Sequence, residues 1–162
     1  MMTKDIMDYI VNESKLVAVK LAAINALSFD MDRIGTGRDN FSLLLKYLKQ
    51  KYGVVSNEDL YNKLDATTLI SLAYTRAMSD YFNVDEALNL ALMAQLKAPN
   101  SLSIAVVLGL IESQIAMDGD NWCNVFVAFY ARIYLNGLNS DFDLKGISVI
   151  SEYIDLYREY CN

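Results

Sequence analysis

The sequence predicts an all-α fold on three observations: a single proline, Pro99, in 162 residues, glycines that punctuate apolar segments, and apolar side chains recurring at helical spacing. About seven helices joined by short turns are expected, arranged as an array of helical hairpins or as an irregular bundle. They form one domain over residues 1–162, long enough to bury a core without disulfides or a structural metal.

The first helix is expected over residues 5–27, where Ile6, Ile10, Val17, Leu21 and Ile24 make one apolar stripe. Residues 30–39, DMDRIGTGRD, mix two glycines with charges and read as a loop ending in an N-cap at Asp39 or Asn40. The helix FSLLLKYLKQKY follows and stops at Gly53. Ser56, with Asp59 three residues on, has the form of a capping box with a shorter acid and opens a short helix to Lys63. Further helices are expected over 66–81 and over 84–98, the second with Asp85 and Glu86 at its N-terminal end and Pro99 beyond it. Ser101 caps LSIAVVLGLIESQIAM, which is β-branched enough to resemble a strand. Its length and the Asp118-Gly119-Asp120 break favour a helix. Helices over 121–136, stopped by Gly137, and over 144–160, preceded by the DFD of 141–143, complete the set.

An apolar fraction of 54% against 21% charged excludes disorder and implies a surface built to be covered. With 20 acidic and 14 basic residues the net charge is −6, so a nucleic-acid backbone would be repelled. The excess lies in the C-terminal third: residues 112–162 hold eight acids and three bases, against twelve and eleven in the rest. Cys123 and Cys161 are far apart and outside any CxxC spacing, thin grounds for a disulfide framework, so a reducing compartment fits better, with Cys123 as a small core side chain and Cys161, near the exposed terminus, able to oxidise or cross-link in vitro. The start, MMTKDIMDYIVNESK, lacks the basic-then-apolar order of a signal peptide, and no apolar run reaches the roughly 18 residues needed to span a bilayer. A cytoplasmic chain without a membrane span is expected.

The absence of histidine removes Ser-His-Asp and Cys-His catalysis and histidine metal sites. The carboxylate pairs Asp30/Asp32, Asp118/Asp120 and Asp141/Asp143 sit in expected turns or helix starts, where capping explains them. DMDRIGTGRDNF opens like a calcium loop, but Ile34 and Phe41 stand where oxygen ligands are required. GTGRD lacks the Lys-Ser/Thr of a phosphate loop, so Gly35 and Gly37 are turn residues. No catalytic residue, metal or cofactor is expected. Trp122, Phe126, Phe129, Tyr130 and Tyr134 form a helical aromatic stripe expected in the core. Lys46, Lys49, Lys51 and Arg38, interleaved with Tyr47 and Tyr52, read as a solvated basic face able to touch an acidic partner or the acidic third of a second copy. Eleven tyrosines favour binding without locating it.

Over residues 68–135, Ala87, Ala94 and Pro99 are followed by Leu108-Gly109, and Ala128 falls 34 residues after Ala94. This pattern resembles the tetratricopeptide repeat, a helical hairpin of about 34 residues with a Leu-Gly pair on its first helix, small residues on its second and a closing proline. The sequence departs from it at Ala91, where an aromatic belongs, at Tyr74-Thr75, where Leu-Gly is missing, and after Ala128, where no second proline follows. Size and acidity are also similar to the tetratricopeptide-type chaperones of bacterial type III secretion.

The resemblance implies an adaptor or chaperone that holds a partner protein or peptide segment in a groove lined by the first helix of each hairpin. Leu72, Arg76, Asp80, Ser103, Val106, Leu110 and Gln114 are the expected lining. The alternative is a small acidic inhibitor or accessory protein of phage or plasmid type that occupies a basic site on a host protein. A helical homodimer would also use the apolar surplus.

Overall fold

Helix caps divide the chain much as the sequence predicts. A computed structural model describes residues 1–28 and 39–161. Its elements are α1 (Lys4–Ile10), α2 (Val17–Leu27), α3 (Asn40–Tyr52), α4 (Asn57–Lys63), α5 (Ala66–Ser79), α6 (Asp85–Lys97), α7 (Leu102–Ala116), α8 (Cys123–Ile133) and α9 (Leu144–Ile154), closed by a 3-10 helix, Asp155–Tyr160. No strand occurs among the described residues. Residues 29–38 are not described, so the calcium-loop and phosphate-loop readings, the Asp30/Asp32 pair and Arg38 lie outside the described residues.

The caps expected at Asp39, Ser56 and Ser101 are present, accepting from the amides of Ser42, Asp59 and Ile104. Ser56 also donates to the Asp59 carboxylate at 2.7 Å, which closes the box. Gly53 ends α3 in the left-handed conformation at φ 63°.

The single helix expected over 5–27 is two helices. Asn12 takes hydrogen bonds from the Ser14 amide and hydroxyl at 3.0 and 2.7 Å, a local turn that competes with the helical ladder. The apolar stripe survives the break: Ile10, Leu21 and Ile24 are buried, and Ile6 and Val17 pack against the core. The amide of Met2 and the side-chain amide of Asn40 then tie the N-terminus to α3 and α3 to the end of α2, through Met2 N to Asn40 Oδ1 at 2.8 Å and Asn40 Nδ2 to the Leu27 carbonyl at 2.9 Å.

Two successive hairpins, α5 with α6 and α7 with α8, form the body, and α7 packs on both helices of the first hairpin. Small residues make this possible: Ser71, Ala73, Thr75 and Ala77 on α5 and Ala87, Ala91 and Ala94 on α6 are all buried. The buried hydroxyls of Ser71, Thr75 and Ser113 donate to the carbonyls of Thr67, Ser71 and Val125 at 2.8 to 2.9 Å, so no polar cost is left in the packing. Residues 103–109 of α7 are buried on every side, the physical reason that the segment reads like a strand in sequence.

Gly109 lies inside α7 rather than between elements. A Cβ there would sit 3.1 Å from the Phe129 carbonyl oxygen and 3.2 Å from its Cα, so α7 and α8 touch backbone to backbone at this point. The two acids of DFD serve different helices. Asp143 caps α9, whereas Asp141 reaches back to α7, accepting from Ser101 Oγ at 2.6 Å and the Ser103 amide at 3.0 Å. Gly109→Val is expected to cost about 1–3 kcal/mol of unfolding free energy by overpacking. Gly109→Ala is expected to cost less, because helix propensity returns roughly 1 kcal/mol. Urea unfolding followed by circular dichroism checks both, and a Gly109→Val protein as stable as wild type would contradict the close contact.

Candidate functional site

The last three helical elements carry two apolar faces where a surface helix needs one. On α9 and the 3-10 helix, Ile147, Ile150, Ile154 and Tyr157 turn inward. Val149, Tyr153, Leu156 and Tyr160, spaced i, i+4, i+7 and i+11, are 62%, 48%, 64% and 54% exposed. Trp122, 44% exposed at the start of α8, extends this stripe: its indole stacks on Tyr157 at 5.8 Å with the rings 4° from parallel, and Tyr160 lies 6.2 Å away. The Tyr153 and Tyr157 hydroxyls meet at 3.2 Å; that bond, with burial behind it, pushes the Tyr157 phenol up to about 12.

The aromatic stripe of α8 is therefore core only in part. Phe129 is buried and Phe126 and Tyr130 are half-buried, but Trp122 and Tyr134 reach solvent. Tyr130 donates to Asp155 at 2.7 Å and stacks on Tyr134 at 5.2 Å, linking α8 to the start of the 3-10 helix. Glu152, Asp155 and Glu159 are exposed along the same segment, with Arg158 as an exposed base among them.

The cysteines overturn the sequence expectation. Cys123 and Cys161 form a disulfide across 38 residues with Cα atoms 4.7 Å apart. Cys123 is half-buried at the first turn of α8 rather than a core thiol, and Cys161 is not free. The fold brings α8 and the chain end together, a proximity that spacing along the chain does not encode.

The seven groove residues expected on α5 and α7 do not form an open surface. Leu72, Ser103 and Val106 are fully buried, and Leu110 and Gln114 are half-buried. Arg76 and Asp80 belong to a network: Arg76 pairs with Glu86 at 2.9 Å and Asp80 at 3.4 Å and lies over the Phe41 ring at 5.5 Å, and Glu86 also accepts from Tyr61. The expected basic cluster borders a shallow depression of about 430 Å³ walled by Leu45, Lys46, Lys49, Val54 and Val55, while Tyr47 turns away to donate to Asp8.

No family model, curated protein or solved structure matches the chain. Among the described residues no three of Cys, Asp and Glu gather as a metal site, and no helix is long and apolar enough to cross a membrane.

Sequence reasoning also missed Lys20. It occupies the i+3 place of the stripe Val17, Leu21, Ile24, and its side chain is fully buried with Nζ lacking a hydrogen-bond partner. That register position is the signal that would have found it. Burial pushes the Lys20 ammonium below its ordinary value, against the opposing pull of Asp65 and Glu13. Burial also acts to raise the Asp65 carboxyl, but hydrogen bonds from the hydroxyls and amides of Thr68 and Thr67 outweigh it and hold the group low.

A lysine whose folded-state value lies below its unfolded value binds fewer protons in the folded state between the two. Stability then rises with pH through that window, and the burial cost is fully present below it. Lys20→Met is expected to be more stable than wild type at neutral pH by about 1–3 kcal/mol. The variant's advantage should shrink as the pH climbs toward about 10.4. Paired urea titrations at neutral and alkaline pH measure this; a variant less stable than wild type at neutral pH would show that Lys20 is satisfied.

Proposed function

We propose that this chain is a protein-binding module of the adaptor or chaperone kind, and that its docking surface is the stripe Val149, Tyr153, Leu156, Tyr160 with Trp122. The carrying observation is a run of exposed apolar side chains on elements that already bury a second apolar set. Solvated helices keep polar residues there, and contiguous exposed apolar surface marks an interaction site. Trp and Tyr are also the residue types that dominate binding energy at interfaces.

The occupant this face fits is an amphipathic helix of another protein with a basic border. Val149 and Tyr153 on α9, with Leu156 and Tyr160 from the 3-10 helix beyond it, offer the kind of apolar surface that an amphipathic helix covers. Glu152 and Asp155 would pair with its lysines and arginines, in keeping with the net charge of −6. The tetratricopeptide-like groove on α5 and α7 is the less favoured surface, because Leu72, Ser103 and Val106 would have to be uncovered first. The acidic-inhibitor reading shares the same acids and differs in how far charge alone holds the partner. No catalytic role is assigned.

The test is affinity capture from native cell extract at low and high salt, followed by titration of the identified partner against wild type and a Val149→Glu/Leu156→Glu variant. One stoichiometric partner that survives high salt is expected, with affinity lost about 30-fold in the variant, the weight of a single 2 kcal/mol hot spot. Folding stability should change by no more than about 0.5 kcal/mol, since both side chains are exposed. A partner bound equally well by the variant would remove this surface. A partner lost entirely with salt would favour the acidic inhibitor, and concentration-dependent size without any partner would favour a homodimer.

A further inference from the structure

The terminal 3-10 helix, Asp155–Tyr160, buries none of its own residues, yet it carries Tyr157, which stacks on Trp122, and Leu156 and Tyr160 of the docking stripe. Its contacts include the Tyr157 ring on Trp122, the Tyr160 ring beside the same indole, the Tyr130 to Asp155 hydrogen bond and the Tyr153–Tyr157 contact. A segment whose own residues are at most half-buried opens at lower cost than the close-packed hairpins. The Cys123–Cys161 disulfide, immediately after Tyr160, ties it covalently to α8.

We infer that this disulfide is a redox-releasable clasp: the oxidised chain holds the 3-10 helix on Trp122 and completes the docking stripe, and reduction lets it go. The inference rests on the docking reading for its biological meaning and on local geometry for its chemistry. Cys161 is exposed, so an incoming thiolate reaches its sulfur. Cys123 is the first residue of the eleven-residue α8, where unpaired amides and the helix dipole favour a thiolate, which makes its sulfur the better leaving group. A small-molecule dithiol supplies the two electrons. One of its thiolates attacks the Cys161 sulfur and expels the Cys123 thiolate; the second closes on the mixed disulfide and expels the Cys161 thiolate. The protein gains two electrons and two protons as two thiols, and the dithiol leaves as a cyclic disulfide.

The only tryptophan in the chain sits at the clasp and reports on it without any partner. Mass spectrometry after alkylation should show no reactive thiol in the air-oxidised protein and two after dithiothreitol. Reduction should shift Trp122 emission to the red and increase its quenching by acrylamide, while helicity at 222 nm changes little. Cys161→Ser should show the reduced spectrum from the start and ignore dithiothreitol. Capture of the partner should then fall in the reduced protein and in Cys161→Ser alike. Identical Trp122 emission and quenching in the two redox states, or two free thiols in the air-oxidised protein, would overturn the inference. A Trp122 response in a protein that captures nothing would leave the clasp standing and remove the docking reading instead.

Discussion

The contact of α7 with α8 at Gly109 and Phe129 is the constraint on which the rest of the molecule depends. With no Cβ at position 109 the two backbones meet directly, and the Phe129 ring is driven fully into the core. That seating fixes the rotation of α8. Val125 and Phe129 face α7, Arg132 reaches across to Glu112 with two hydrogen bonds of 2.7 and 2.5 Å, and Trp122, Phe126 and Tyr130 are turned toward the side where the chain end arrives. The chain end then has one apolar surface to lie on, which Ile147, Ile150, Ile154 and Tyr157 use, and the opposite stripe is left in solvent.

The C-terminal region is held by a different balance of forces from the hairpins. The hairpins are close-packed through alanine, serine, threonine and glycine, with the buried hydroxyls of Ser71, Thr75 and Ser113 returned to backbone carbonyls and that of Thr68 to the Asp65 carboxylate. The segment that follows depends on directed polar contacts: Asp141 bonded to Ser101 and Ser103, the Asn139 amide on the Asn100 carbonyl at 2.6 Å, and the disulfide. Those contacts position the exposed stripe without burying much of it. Lys20 stands apart as a buried charge in α2 whose cost is set against the apolar packing around it.

Most of the fold was legible because its signals are local. Caps at Asp39, Ser56 and Ser101, the stop at Gly53 and the break before Pro99 each depend on a few adjacent residues, and the helices fall where those residues put them. The failures have physical causes. Asn12 and Ser14 break the first helix through a side-chain bond that apolar periodicity does not register. Its place in the chain assigns Asp141 to the helix that follows it, but its carboxylate accepts from Ser101 and Ser103 at the start of α7, a helix that begins 39 residues earlier. The disulfide needs α8 and the chain end to be neighbours, a tertiary fact. The candidate surface was only half legible: the acidity and tyrosine content of the C-terminal third were plain, but a stripe at positions 149, 153, 156 and 160 becomes exposed only once the inward face of α9 is known. The groove expected on α5 and α7 rests on the repeat resemblance, and in this fold Leu72, Ser103 and Val106 of its lining are buried.

Hydroxyl-radical footprinting of the oxidised protein, read residue by residue by mass spectrometry, tests this arrangement most directly. The account predicts strong oxidation at Trp122, Tyr153, Leu156 and Tyr160 and near silence at Leu72, Leu108 and Phe129. Heavy oxidation of Leu72 and Leu108 with a protected α9 stripe would contradict it and return the binding surface to α5 and α7.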